Sequence, residues 1–182
     1  MIFTETLLKG AFMIEPELVK DERGMFARTW CQKEFESQGL KVMWVQSSIS
    51  VNRRKGTLRG MHYQVAPHEE VKLVRCTMGA IYDVIVDLCP TSPTYRRHIG
   101  VTLSAENHLM LYIPEQFAHG FLTLEDKSEV SYHMSEFHAP ASARGFRWDD
   151  PTFGIQWPDV IIVMSEKDRS WPVFTPLQGS PT

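Results

Sequence analysis

The chain has 182 residues, 43% of them hydrophobic and 23% charged, with a formal net charge of −3. Those totals describe one globular domain with a real core, and the negative balance excludes a general electrostatic footprint for nucleic acid. No apolar run approaches the roughly 20 residues that a membrane-spanning helix needs, and the first residues lack the layout of a signal peptide.

Taken along the chain, short segments of period-2 alternation dominate and predict strands. The first lies near 11–19. A helix is predicted over 31–38, with Gly39 as its stop. Strands follow near 43–52, 58–64, 71–78, 80–88, 99–104, 109–113, 119–124 and 128–135. The pair 71–78 and 80–88 meets at Gly79, and both faces of 80–88 are partly apolar. Pro90, Pro93, Gly100, Pro114, Gly120, Pro140 and Gly145 punctuate the rest. A second short helix is expected near the C-terminus, and Thr175 to Thr182 reads as a loose tail. Many short strands at this spacing indicate an all-β fold, a β-sandwich or jelly-roll barrel with a few short peripheral helices. No repeat or linker divides the chain.

The three cysteines, Cys31, Cys76 and Cys89, are odd in number and lack CxxC spacing. This argues against a disulfide framework or zinc knuckle and for a reducing cytoplasm. Cys76, inside a strand pattern, reads as a small core residue.

The segment Gly56-Thr57-Leu58-Arg59-Gly60-Met61-His62-Tyr63-Gln64, followed by Glu70-Val71-Lys72, carries the most chemistry. It supplies an imidazole, a guanidinium and an amine. A base, an anion clamp and an oxyanion stabiliser are what proton abstraction beside a carbonyl requires. His62 and Gln64 share parity; strand parity alone lets Lys72 face either side. His119, flanked by Phe117, Ala118, Gly120 and Phe121, reads as either a hydrogen-bonded core histidine or part of a site. Tyr132 reads as either packing or a phenolic acid. Asp168 reads as either a helix cap or the acid that orients an imidazole. A metal site of the His-x-His type is half present: His62-Tyr63-Gln64 places Gln64 where imidazole would be needed, and Lys72 nearby repels a cation.

Together these segments resemble the dTDP-4-dehydrorhamnose 3,5-epimerase family nearly end to end. The resemblance rests on Asp21 to Phe26, Gly56 to Gln64, Lys72-Leu73-Val74, Asp83 to Asp87, Ser92-Pro93-Thr94, Ala118 to Phe121, Tyr132, Trp148 to Pro151, Trp157-Pro158 and Ser165 to Asp168. It implies a single metal-free cupin jelly roll over 1–174 that needs no cofactor and forms a homodimer by exchanging N-terminal strands. The substrate it implies is a nucleotide-diphosphate 4-keto-6-deoxy sugar, in deoxysugar biosynthesis. By resemblance the base is His62, its orienting acid Asp168, the general acid Tyr132 and the enolate-stabilising amine Lys72. Diphosphate and sugar contacts match Arg59, His119, Lys167 and Gln46. Arg23 and Phe26 match residues that reach the nucleotide, from a neighbouring subunit.

The departures from the family pattern cluster. Arg28 stands for Glu, Ser48 for Asn, His138 for Tyr and Ala143 for Glu, all in the family's nucleotide region; Cys89 stands for Arg. They imply retained proton-transfer chemistry with altered nucleotide contacts, in which His138 stacks a base and Arg28 adds a phosphate or base contact. The rival readings are an enzyme making one inversion or a ketoisomerase, a metal-dependent cupin oxygenase, and a non-catalytic sugar-nucleotide-binding module.

Overall fold

A computed structural model of the chain describes residues 1–41 and 43–176. The strands are β1 (Ile2–Glu5), β2 (Phe12–Glu15), β3 (Leu18–Asp21) and β4 (Gly24–Ala27), then helix α1 (Gln32–Ser37). There follow β5 (Gln46–Asn52), β6 (Leu58–Gln64), β7 (Lys72–Met78), β8 (Ala80–Asp87), β9 (His98–Ser104), β10 (Met110–Ile113), β11 (Phe117–Thr123), β12 (Ser128–Met134), β13 (Ala143–Gly145) and helix α2 (Glu166–Ser170).

Two antiparallel sheets face each other as an open jelly-roll sandwich. One has the order β1-β2-β10-β7-β12-β5, the other β13-β6-β11-β8-β9; β3 and β4 form a separate two-stranded hairpin. Between the sheets lie Val74, Cys76, Leu111 and Val130 from the first and Ile81, Ile85, Leu103 and Phe121 from the second. Each Val, Leu, Ile and Phe among them contributes roughly 1.5–3 kcal/mol by leaving water. Both sheets are also partly covered outside. Phe35 of α1 packs on Ile14, Leu73, Met110 and Tyr112 of the larger sheet. Phe146, Phe153 and Ile155, after β13, cover Met61, Val84, Val86 and Ala118 of the smaller. Strands with two covered faces explain why β8 is apolar on both parities.

The expected strands from 58 onward are present within two residues at their ends. The single strand expected near 11–19 is two, because Pro16 cannot donate to a ladder. β2 joins the large sheet and β3 turns out into the hairpin. The strands before and after Gly79 belong to different sheets. Gly79 has φ +70°, and a Cβ there would lie 2.7 Å from Ser128 Oγ, so the corner between sheets needs glycine. β1, β4 and β13 were not expected. The helix over 31–38 and the C-terminal helix are present as α1 and α2. Of the tail expected over 175–182, residues 177–182 lie outside the described residues.

Candidate active site

Ordinary alternation along β6 would put Arg59 and His62 on opposite faces. The pairing with β11 slips instead: His119 lies opposite His62, and Phe121 lies opposite Arg59. His119 and Phe121 are two apart and share a face, so Arg59 and His62 share one too. The slip falls at Gly60, where φ is +137° and a Cβ would meet Gly120 Cα at 2.6 Å. Only glycine fits both the angle and the space.

His62 meets its partner from the far end of the chain. Ser165 caps α2, its hydroxyl accepting from the Asp168 N–H at 3.0 Å. That turn aims the buried Asp168 carboxylate at His62, with Nε2 2.5 Å from Oδ1. Burial alone would raise the Asp168 pKa, but the His62 hydrogen bond and charge, with Ser165 and the Gly60 N–H, hold it below the usual carboxylate value. An ionised carboxylate only accepts, so Nε2 carries the proton and Nδ1 is left as the basic nitrogen. Trp171 stands edge-on to the His62 ring at 6.3 Å, and Lys167 Nζ lies 5.5 Å from the Trp171 ring centre.

His62 opens onto a cavity of about 350 Å³ between the sheets. Gln46 and Ser48 of β5, Lys72 of β7, Tyr132 of β12, His138 and Lys167 line it with His62. Lys72 therefore faces inward, as do Val74 and Cys76 of the same parity, which continue into the core. Lys72 is 13% exposed, and its Nζ donates to Glu70 Oε1 at 2.5 Å. Tyr132 packs against the inter-sheet core, its ring 6.1 Å from that of His119. Burial, and then the Asp83 carboxylate, raise the Tyr132 pKa well above that of a free phenol, against an opposing pull from Arg59. The hydroxyl is thus held protonated.

His119 is buried beneath the cavity rather than lining it, and its Nε2 lies 2.8 Å from Asp83 Oδ2. Asp83 is fully buried, and burial raises its pKa against the opposing effect of His119. Arg59 is exposed at a separate groove of about 380 Å³, where its Nε donates to Asn52 Oδ1 at 2.8 Å. Arg23, Phe26 and Arg28 do not reach the cavity of their own chain. Arg23 pairs with Asp21, Arg28 pairs with Glu34 at 3.0 Å, and Phe26 stands 72% exposed on the β3–β4 hairpin. Ser48, His138 and Ala143, three of the four departures in the nucleotide region, do line the cavity.

Some participants were not singled out in the sequence. Asp83 carried a signal, a carboxylate in an apolar strand. Trp171 carried none, because its place depends on how α2 docks. Glu70 was visible only as a neighbour of Lys72. Burial pushes the Cys76 thiol up to about 11, which makes it a poor nucleophile. A larger groove of about 470 Å³ near Trp148, Trp157 and Met164 holds no base–acid pair of this kind. Among the described residues no group of three or more His, Cys, Asp or Glu side chains is placed to hold a metal, and no helix is long and apolar enough to cross a membrane.

A base oriented by a carboxylate, an amine and a protonated phenol around one cavity can remove a proton from carbon and return one. Residues 5–176 match the family described as dTDP-4-dehydrorhamnose 3,5-epimerase. A protein of that name from Methanothermobacter thermautotrophicus is 45% identical, over 98% of this chain and 96% of its own. The crystal structure of the dTDP-4-dehydrorhamnose 3,5-epimerase from Bacillus anthracis, with TDP and PPi bound, is 39% identical and superposes with a TM-score of 0.92, covering 95% of this chain and 99% of that one. A 3'-monoepimerase, ChmJ from Streptomyces bikiniensis, in complex with dTDP-quinovose, is 31% identical with a TM-score of 0.86, covering 92% and 85%.

Proposed function

The chain belongs to the dTDP-4-dehydrorhamnose 3,5-epimerase family, an isomerase of carbohydrates, and on that premise we propose that His62, Tyr132, Lys72 and Asp168 carry its proton transfers. The observation that carries this reading is the shared cavity: the His62–Asp168 pair, the Lys72 ammonium and the Tyr132 phenol all converge on it. A 4-keto group acidifies the hydrogens on C3 and C5 of the sugar. The free nitrogen of His62 takes one of them, and Asp168 stabilises the imidazolium that forms. The C–H electrons move into the ring as a double bond, and charge develops on the ketone oxygen. Lys72 offsets that charge in a sheltered site. Tyr132 delivers a proton to the opposite face of the carbon, which completes the inversion, and exchange with solvent then reprotonates Tyr132 and carries off the proton held by His62.

The substrate in this reading is a nucleoside-diphosphate 4-keto-6-deoxyhexose, with thymidine as the nucleoside, as in the relatives. Gln46, Ser48, His138 and Lys167 line the cavity for it, and the planar guanidinium of Arg59 suits a diphosphate. His119, anchored by Asp83, supports the floor under Tyr132 and the ketone. Residues 1–174 act as one domain, in the cytoplasm, and as a homodimer. The hairpin supports the dimer: Leu18, Val19, Met25 and Phe26 are exposed there, and Ile49, Val51 and Met78 are exposed on the large sheet. In that arrangement Arg23 and Phe26 of the partner subunit complete the nucleotide end of the site.

The test is turnover in deuterated water. Label at both C3 and C5 of the product is the expected result. Label at C3 alone would favour a single inversion, the reading to which the ChmJ likeness lends weight. No label at either carbon would overturn proton abstraction altogether.

A further inference from the structure

We propose that Glu70 is a positioning residue for Lys72: its carboxylate fixes the ammonium in the cavity, with donors left over for the ketone oxygen. The inference rests on the reading of Lys72 as the partner of the developing oxyanion. Glu70 and Lys72 are two residues apart in extended chain, so they point the same way and Val71 points the other. Val71 is buried in the outer cluster with Phe35 and Leu73. Its backbone is pinned on both sides by Ser135, with Val71 N–H donating to Ser135 Oγ at 2.8 Å and Ser135 N–H donating to Val71 O at 3.0 Å. The pin fixes which side Glu70 faces, and that side is the cavity.

The pair is unlike the surface ion pairs of this chain. Glu70 and Lys72 are each only 13% exposed, and among the described residues Glu70 is the only hydrogen-bond partner of Lys72 Nζ. Lysine carries a point charge on a flexible four-carbon stem, so it needs an anchor before it can act as a preorganised donor. Of its three N–H donors, one goes to Glu70 and two remain. The pair is electrically neutral before substrate binds, and the enolate then meets an ammonium already in place.

Steady-state kinetics of Glu70→Ala, Glu70→Gln, Lys72→Met and the Glu70→Ala/Lys72→Met double variant test this, with a thermal melt of each. Misplacing one catalytic group costs on the order of 100-fold, so Glu70→Ala is expected to lower kcat by about 10- to 100-fold with KM within about threefold. Glu70→Gln keeps an acceptor of the same shape and is expected within about fivefold of the parent kcat. In the Lys72→Met background the loss from Glu70→Ala is expected to shrink below about threefold, because one residue acts through the other. A full Glu70→Ala loss persisting without Lys72, a Glu70→Gln variant as impaired as Glu70→Ala, or a parental kcat in Glu70→Ala would each overturn the proposal. A parental kcat in Lys72→Met would instead overturn the reading of Lys72 itself. Should Glu70→Ala fail to fold, Glu70→Asp replaces it: one methylene shorter, it is expected to lower kcat at least about fivefold, and a parental value overturns the proposal.

Discussion

His62 on β6 and Asp168 on α2 stand 106 positions apart in the chain, and their Nε2 and Oδ1 atoms meet at 2.5 Å. The contact makes one nitrogen of the ring a donor and the other a base. Asp168→Asn keeps the shape and removes the charge. An amide can present its N–H to Nε2, which selects the wrong tautomer and no longer stabilises imidazolium. The expected result is a fall in kcat of about 100- to 10,000-fold with little change in KM. Steady-state kinetics checks it; a fall of less than tenfold would show that the carboxylate is only a neighbour of the ring and not its orienting acid.

Tyr132→Phe separates proton removal from inversion. The ring still fills its place against the inter-sheet core, but the donor on the second face is gone. His62 can still remove a proton and return a solvent-derived one to the same face. In deuterated water the recovered substrate should therefore gain label while epimerised product falls by about 100-fold or more. Product formed at the parental rate would remove Tyr132 from the chemistry.

Much of this was legible in the sequence, for physical reasons that also mark where legibility stops. β6, β7, β8, β10 and β11 are largely buried, so their alternation or apolar runs were strong, whereas β5 and β9 bury one residue each. β4 belongs to an exposed hairpin, and β1 and β13 are short edge strands; none carries a burial pattern to read. Lys72 had no preferred face by parity, and burial of Val71 under α1 decided it. Arg59 and His62 look opposed by parity, and a register slip that no periodicity reports puts them together. Arg23, Phe26 and Arg28 matched a nucleotide site by resemblance, yet in one chain they lie on an arm away from the cavity. The sequence of one chain does not say what the arm touches.

That slip makes Gly60 a sensitive position. An alanine there must adopt φ +137° and push its Cβ to within 2.6 Å of the Gly120 backbone. Gly154 is the control, with φ +63° and nothing within 4 Å of an added Cβ. Urea denaturation should show Gly154→Ala losing about 1 kcal/mol and Gly60→Ala losing at least about twice as much. Gly60→Ala should also lose activity even where it stays folded, since its backbone sets the faces of both Arg59 and His62. Equal losses would mean that the Gly60–Gly120 approach is not a constraint.

Nucleotide recognition is the next measurable point, because Ser48, His138 and Ala143 line the cavity while Arg28 is engaged with Glu34. Ligand that binds only the native state raises Tm by mass action. With dTDP at about 100 times its Kd, the rise should be about 5 °C or more, and larger than for UDP, GDP or CDP at the same concentration. A panel without preference for dTDP would assign these residues to relaxed base recognition.

Asp168 also ties stability to pH, and the sign follows from its depressed pKa. Its folded value lies below the unfolded value of about 3.9, so the folded state binds the proton less readily. The contribution to stability is therefore fully present above the unfolded value and is lost as pH falls through the folded one. Removing the carboxylate abolishes this dependence at that position. A stability gap between the parent and Asp168→Asn of about 1.5–3 kcal/mol, as for a charge-assisted hydrogen bond, should be present at about pH 5. It should narrow steadily below about pH 4 as the parent carboxylate is protonated. Urea melts of both proteins across that range check it. A gap that widens toward acid would mean that the native structure favours the protonated acid, and with it that Asp168 is not the ionised partner His62 needs.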